Sequence, residues 1–190
     1  MDEPQQVRIS ASGEPSVAAG FDFDEVFREH GAFVMRVVRR MGIPDGDVED
    51  IAQEVFLVLH RKRADYDPRR PLRPWIFGVA ARTASAARRR AHRRYEVLEP
   101  APVAPLVAPA QELAADVTRA RSILDRALDA LDDDKRAVFV AFDLEELPMA
   151  EIAVLQGCPL QTAYSRLYAA RTQVRATVDR ILAQEVPHER

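Results

Sequence analysis

Leu147-Pro148-Met149-Ala150-Glu151-Ile152-Ala153-Val154-Leu155-Gln156-Gly157-Cys158-Pro159-Leu160 has the shape of a helix, a tight turn and a second helix. Pro148 can begin the first helix, and Ile152, Ala153 and Leu155 fall where they can pack inward. Gly157 supplies a permissive backbone where that helix must stop. The second helix runs from Gln161 to about Ala183, with Ala163, Leu167, Ala170, Val174, Val178 and Ile181 at core spacing. Small Ala153 and Ala163 let two helices cross closely, as in a DNA-binding helix-turn-helix. Gln161, Thr162, Tyr164, Ser165 and Tyr168 then face outward where such a helix meets base edges, with Arg166 and Arg171 toward phosphates. A plain helical hairpin with a glycine turn has the same pattern, and both readings stay open on this stretch alone. Cys158 in the turn is read as a small buried filler.

Upstream, Ile123, Leu124, Ala127, Leu128 and Leu131 form one apolar stripe, and Val138, Phe139 and Phe142 another. Asp132-Asp133-Asp134 looks like a metal cluster but is read as the cap and first turn of the next helix. Helices resume near Leu113, after four prolines among the alanines and valines of residues 99–109. That segment has neither a helical nor a strand period, so residues 96–112 are a linker and a domain boundary.

Before the linker lies a second helical block. Phe23, Val26, Phe27, Val34, Val37, Val38 and Met41 make a stripe that breaks at Gly42 to Gly46. Asp47 is an expected N-cap, and the next helix presents Val48, Ile51, Ala52, Val55, Phe56 and Leu59 on one face. A turn-rich stretch, 64–73, precedes a helix that Pro74 helps to start and that carries Trp75, Ile76, Val79, Ala80 and Thr83 inward, continuing to about Arg94. No alternating strand pattern is found. The expected fold is all-α, two small helical domains (21–95 and 113–184) joined by the Pro-rich linker, with a disordered leader over 1–20 and a tail over 185–190.

The net charge of −3 conceals a segregation. Residues 61–94 hold 12 basic and 2 acidic residues, residues 1–60 hold 5 and 12, and residues 95–190 hold 10 and 16. A basic block in an acidic chain is the electrostatic footprint of phosphate contact. A single cysteine excludes an intramolecular disulfide and a thiolate metal cluster. The polar N-terminus is no signal peptide, and the expected location is the cytosol. His30, His60, His92 and His188 are dispersed, and no phosphate-cradling glycine loop or nucleophile motif is present. No catalysis, cofactor or metal is therefore expected.

Taken together, these residues resemble the extracytoplasmic-function group of bacterial sigma factors. Asp47-Val48-Glu49-Asp50-Ile51-Ala52-Gln53-Glu54-Val55-Phe56 is similar to the signature helix of the family's second conserved region, and Pro71-Leu72-Arg73-Pro74-Trp75-Ile76-Phe77-Gly78-Val79-Ala80 to its next helix. Ala127-Leu128-Asp129-Ala130-Leu131, Arg136-Ala137-Val138-Phe139, Ala150-Glu151-Ile152-Ala153 and Ser165-Arg166-Leu167 resemble the fourth region. The likeness spans about Phe21 to Leu182.

The resemblance implies a non-catalytic initiation subunit that docks on core RNA polymerase, through a coiled coil of the largest subunit and through the flap, and directs it to a specific set of promoters. It assigns Asp50, Gln53 and Glu54 to the coiled coil. It assigns Tyr66, Arg69, Arg70, Arg73, Arg82, Arg88 and Arg89 to recognition and melting of the −10 element. For the −35 element it assigns Gln161, Thr162, Tyr164, Ser165, Arg166, Tyr168 and Arg171. Trp75 is weighted toward the core and away from base stacking. The helix from Gln161 departs from the family: a usual glycine is Gln161, a commonly basic position is Tyr164, and another is Ala169. Promoter sequence is therefore not carried over. The resemblance also implies a linker threaded along polymerase channels, and an anti-sigma partner able to hold the chain at the membrane. A stand-alone helix-turn-helix regulator is the alternative function.

Overall fold

Asp22 opens the first helix. Its carboxylate accepts hydrogen bonds from the Asp24 and Glu25 N–H groups at 2.9 and 3.3 Å, a cap of the kind that contributes about 1 kcal/mol. In the computed structural model, which describes residues 21–95 and 112–185, this helix is α1, Phe23–Arg40. The expected leader (1–20), nearly all of the expected linker (96–111) and the last five residues lie outside the described residues.

α1 buries Val26, Phe33, Val34, Val37 and Val38. Phe27, expected in this stripe, is instead 52% exposed. One residue is about 100° of helix, so Phe27 is swung away from Val26, and Phe33 takes the inward place. Beyond Met41 the chain reverses at Gly42, whose φ of 90° is open to glycine at little cost. A 3₁₀ turn, Asp45–Asp47, leads into α2, Val48–Arg61. Asp47 occupies the N-cap position but makes no side-chain cap bond. Its φ of −105° and ψ of −4° continue the preceding turn and do not give the extended geometry a capping side chain needs.

α3, Leu72–Tyr95, starts two residues before Pro74, which sits in the first turn where a missing N–H costs nothing. Ile76, Phe77, Val79, Ala80, Thr83 and Ala84 are buried. α1, α2 and α3 pack on one another as a three-helix unit.

The second unit comprises α4 (Glu112–Asp129), α5 (Asp133–Phe139), α6 (Met149–Leu155) and α7 (Leu160–Glu185). Asp132 caps α5 by accepting from the Lys135 N–H at 2.9 Å, as the acidic triplet led us to expect. After Phe139 the helix widens to a π turn, Val140–Leu144, closed by the Glu145 N–H donating to the Val140 carbonyl at 3.0 Å. α6, a turn with Gly157 at φ 59°, and α7 follow the expected helix-turn-helix. Ala163, Leu167, Ala170 and Ile181 are buried, while Val174 and Val178 are half-buried. Glu185, expected in the tail, is the last residue of α7.

All described elements are helical, and the two units share a continuous apolar core. α6 meets α3 where Leu155 lies over Gly78; a methyl group on Gly78 would come within 2.6 Å of Leu155 Cδ2. Arg136 of α5 is fully buried at the same seam and donates to the Met41 carbonyl at 3.1 Å and to Asp129 at 2.5 Å. Burial pulls its pKa down, against the opposing pull of Asp129.

Candidate polymerase and nucleic-acid interface

On α2 the inward positions Val48, Ala52, Val55 and Leu59 leave Asp50 and Gln53 on the outer side, both exposed. Glu54 is half-buried, and its carboxylate is held by Arg90 of α3 at 3.0 Å. Leu57, one turn beyond Gln53, is 61% exposed and extends this face with an apolar contact. Sequence reasoning missed Leu57, although the signal was there: a large apolar residue lying off the inner stripe.

The basic block is built on α3 and the loop before it. Asp67 Oδ1 accepts from the Arg69 N–H at 3.0 Å, forming the turn that leaves Arg69 exposed. Tyr66 is half-buried in an aromatic cluster with Phe21 and Trp75, at centroid distances of 5.7 and 5.3 Å. Its hydroxyl donates to the Arg70 carbonyl at 2.6 Å, fixing the loop. Trp75 thus packs mainly on protein, in line with the weighting toward a core role.

Most of the remaining arginines face acidic groups of the second unit. Arg70 pairs with Glu151 at 2.5 Å. Arg73 lies over the Phe33 ring, 4.7 Å from its centroid, and donates to Glu145 at 3.1 Å. Arg89 pairs with Asp133 at 2.6 Å, and Arg88 contacts the same carboxylate. Arg82 reaches the Leu155 carbonyl at 3.4 Å. The expected −10 residues therefore lie along one surface. In this conformation Arg70, Arg73, Arg88 and Arg89 are tied to carboxylates of the second unit, while Arg70, Arg73 and Arg89 stay exposed and Arg88 is half-buried.

Glu145 has the most elaborate set of partners. Arg36 Nε and Nη2 donate to its two oxygens, both at 2.9 Å, in a fork. Arg40 Nη1 adds a bond at 2.6 Å, and Arg73 completes the cage. Burial works to raise the Glu145 pKa, but the three guanidiniums together hold it below its ordinary value. Arg36 and Arg40 were not among the expected site residues. Their four-residue spacing on α1 was visible, but no local motif linked them to Arg73 or Glu145.

On α7, Gln161, Tyr164 and Tyr168 share one outward face, with Tyr164 48% and Tyr168 77% exposed. Thr162 is half-buried, and the Ser165 hydroxyl donates back to the Gln161 carbonyl at 3.0 Å. Arg166 binds Asp134 and Gln156, both at 2.7 Å. Arg171 forks onto Asp143 at 2.9 and 2.5 Å, which raises its pKa through that hydrogen bond. The outward face is therefore aromatic and amide, with its arginines tied to neighbouring carboxylates.

Two separate family matches fall on these two units. Residues 26–94 match Sigma-70 region 2, and residues 121–174 match Sigma-70 region 4. The ECF RNA polymerase sigma factor SigE of Mycolicibacterium smegmatis is 31% identical over 179 residues, covering 88% of this chain and 69% of that protein. The chain belongs to the extracytoplasmic-function sigma factors. RNA polymerase sigma factor CnrH of Cupriavidus metallidurans is 29% identical over 167 residues, covering 83% of this chain and 86% of CnrH. The solved structure of CnrH with the cytosolic domain of CnrY matches at TM-score 0.59 and 25% identity, over 83% of this chain and 87% of that one. Bartonella quintana sigma factor RpoE, solved with the anti-sigma factor NepR, shares the fold at TM-score 0.67 and 18% identity, over 83% and 97%. This sigma factor is thus an alternative sigma factor of transcription initiation, from a family of non-catalytic initiation subunits. Among the described residues no helix is long and apolar enough to cross a membrane.

Proposed function

We propose that this sigma factor binds core RNA polymerase through α2, recognises and melts the −10 element with the loop and α3, and recognises the −35 element with α7. The observation that carries this reading is the segregation of three chemically distinct faces. One is an exposed carboxylate-amide-leucine face at Asp50, Gln53 and Leu57; the second is an arginine surface from Arg69 to Arg89; the third is an aromatic-amide face at Gln161, Tyr164 and Tyr168. Docking uses the first, with Glu54 positioned by Arg90. Melting requires cations that hold the displaced strand, and Arg69, Arg70, Arg73, Arg82, Arg88 and Arg89 supply them. Tyr66 contributes by fixing the loop and offering a ring edge.

In this division residues 21–95 act as the docking and melting domain, residues 113–184 as the duplex-reading domain, and 96–112 as the tether. Release of the arginine surface requires the second unit to move away. Thr162 and Ser165 border the reading face, and Arg166 and Arg171 reach phosphates once freed from Asp134 and Asp143. An anti-sigma partner is part of the proposal, since related sigma factors are seen in complex with CnrY and with NepR. Such a partner, if tethered, would hold the chain at the membrane.

The test is affinity for core polymerase. Asp50→Ala with Gln53→Ala is expected to weaken binding by about tenfold or more, with unchanged helical content, because both side chains are exposed and make no core contact. Unchanged affinity would overturn the docking face. A stand-alone regulator would bind duplex promoter DNA tightly without core polymerase, and that result would favour the alternative.

A further inference from the structure

We infer that Arg36, Arg40 and Arg73 form a binding site for a DNA backbone phosphate, and that Glu145 is its intramolecular stand-in. The inference rests on the proposed melting role of the adjacent arginine surface and extends that surface onto α1. Arg36 and Arg40 stand one helical turn apart on α1, and Arg73 comes from the first turn of α3. Their guanidiniums converge on a single carboxylate whose side chain is 1% exposed, while their own are 41%, 24% and 49% exposed. Each Glu145 oxygen accepts two charged donors: Oε1 from Arg36 and Arg40, Oε2 from Arg36 and Arg73.

A fork of this kind fits phosphate as well as carboxylate. Two of the three guanidiniums also have support within the first unit, while Arg40 bonds Glu145 and the Leu144 carbonyl. Arg73 and Arg36 both lie over the Phe33 ring, at 4.7 and 5.6 Å from its centroid, and α1 and α3 pack directly on each other. When the second unit leaves, three like charges remain near one another on the first, and a bound anion offsets their repulsion. Glu145 itself is presented by an unusual piece of backbone. It follows the π turn, and the next residue, Glu146, has a φ of 56°, a conformation uncommon outside glycine. Glu145 and a phosphodiester therefore compete for the same donors, so capture of DNA and opening of the molecule are one equilibrium.

Binding of a mixed-sequence single-stranded oligonucleotide to the full chain, followed by fluorescence anisotropy at low salt, tests this. Glu145→Gln should bind about tenfold more tightly than the unmodified chain, because the binding-competent fraction rises. Adding Arg36→Ala and Arg40→Ala should abolish that gain and reduce the slope of log affinity against log salt by about 0.7, the value for one lost phosphate contact on a single strand. Equal affinity of the single and triple variants would overturn the site. So would tripolyphosphate binding to Glu145→Gln as tightly as the oligonucleotide, which would make the ligand a free anion.

A readout that needs no variant is phenylglyoxal modification of the chain in complex with core polymerase. Promoter-length DNA should protect Arg36 and Arg40, and modification unchanged by DNA would equally overturn the site. The α2 docking face shares no residue with this cage, so loss of core binding on changing Asp50 and Gln53 is read separately from either outcome.

Discussion

Arg136 and Glu145 are two charged side chains that the fold removes from water, and each crosses the seam between the units. Arg136 fills the space beside Gly42: a Cβ there would collide with its guanidinium. Gly42→Ala combines that collision with a φ of 90° that L-residues rarely adopt. It is expected to lower unfolding free energy by about 1–2 kcal/mol in urea denaturation; a change within about 0.3 kcal/mol would contradict this packing. Glu145 makes a pH-dependent contribution. Burial opposes its charge, but Arg36 and Arg40 of α1 and Arg73 of α3 face it and hold its pKa below its ordinary value. A depressed carboxylate stabilises the folded, closed form above its ordinary pKa, and that stabilisation is lost as pH falls through the depressed value. Thermal midpoints measured against pH should therefore fall below about pH 4.5. Glu145→Gln should remove part of that slope, and parallel profiles for the two proteins would refute the assignment.

Among the elements, α7 illustrates how far a sequence pattern reaches. The apolar period along its length placed Ala163, Leu167, Ala170 and Ile181 inward, and Gly157 marked the turn before it. Gln161, Tyr164 and Tyr168 follow as the outward remainder. Periodicity did not show that Arg166 and Arg171 are tied to Asp134 and Asp143, because those partners lie 32 and 28 residues upstream on other elements. α1 shows the opposite difficulty. Phe27 and Phe33 are both apolar but lie about 240° apart around the helix, and it is Phe33 that is buried with Val26, Val34 and Val37. The π turn had no signature in residue type. For α7 the expectation is specific: Tyr164→Ala with Tyr168→Ala should change folding stability by no more than about 0.5 kcal/mol per site, as both are exposed. The same pair should reduce transcription that depends on the −35 element by about tenfold. A large loss of stability with −35 dependence intact would reverse that assignment.

At the scale of the whole molecule, the sequence showed two helical blocks and their segregated charge, but not the closed arrangement that joins them. Arg70 and Glu151 are 81 residues apart, and Arg36 and Glu145 are 109 apart. Local spacing says nothing about such pairs: Arg70 was expected at the −10 element, and neither Arg36 nor Glu145 was among the expected site residues. In the structure the acidic second unit neutralises the basic surface of the first, so the two halves of the charge asymmetry are partners within one chain. In the proposed function the docking face on α2 is already exposed, and the arginine surface is freed when this arrangement opens. The central claim is promoter-directed initiation, and run-off transcription tests it most directly. Purified chain is added to core RNA polymerase with a library of promoter fragments from the source genome. The account predicts discrete run-off products from a small set of fragments, absent with core enzyme alone and strongly reduced with the Asp50→Ala, Gln53→Ala chain. No promoter-dependent product with a folded chain, or products equally strong with the double variant, would contradict it.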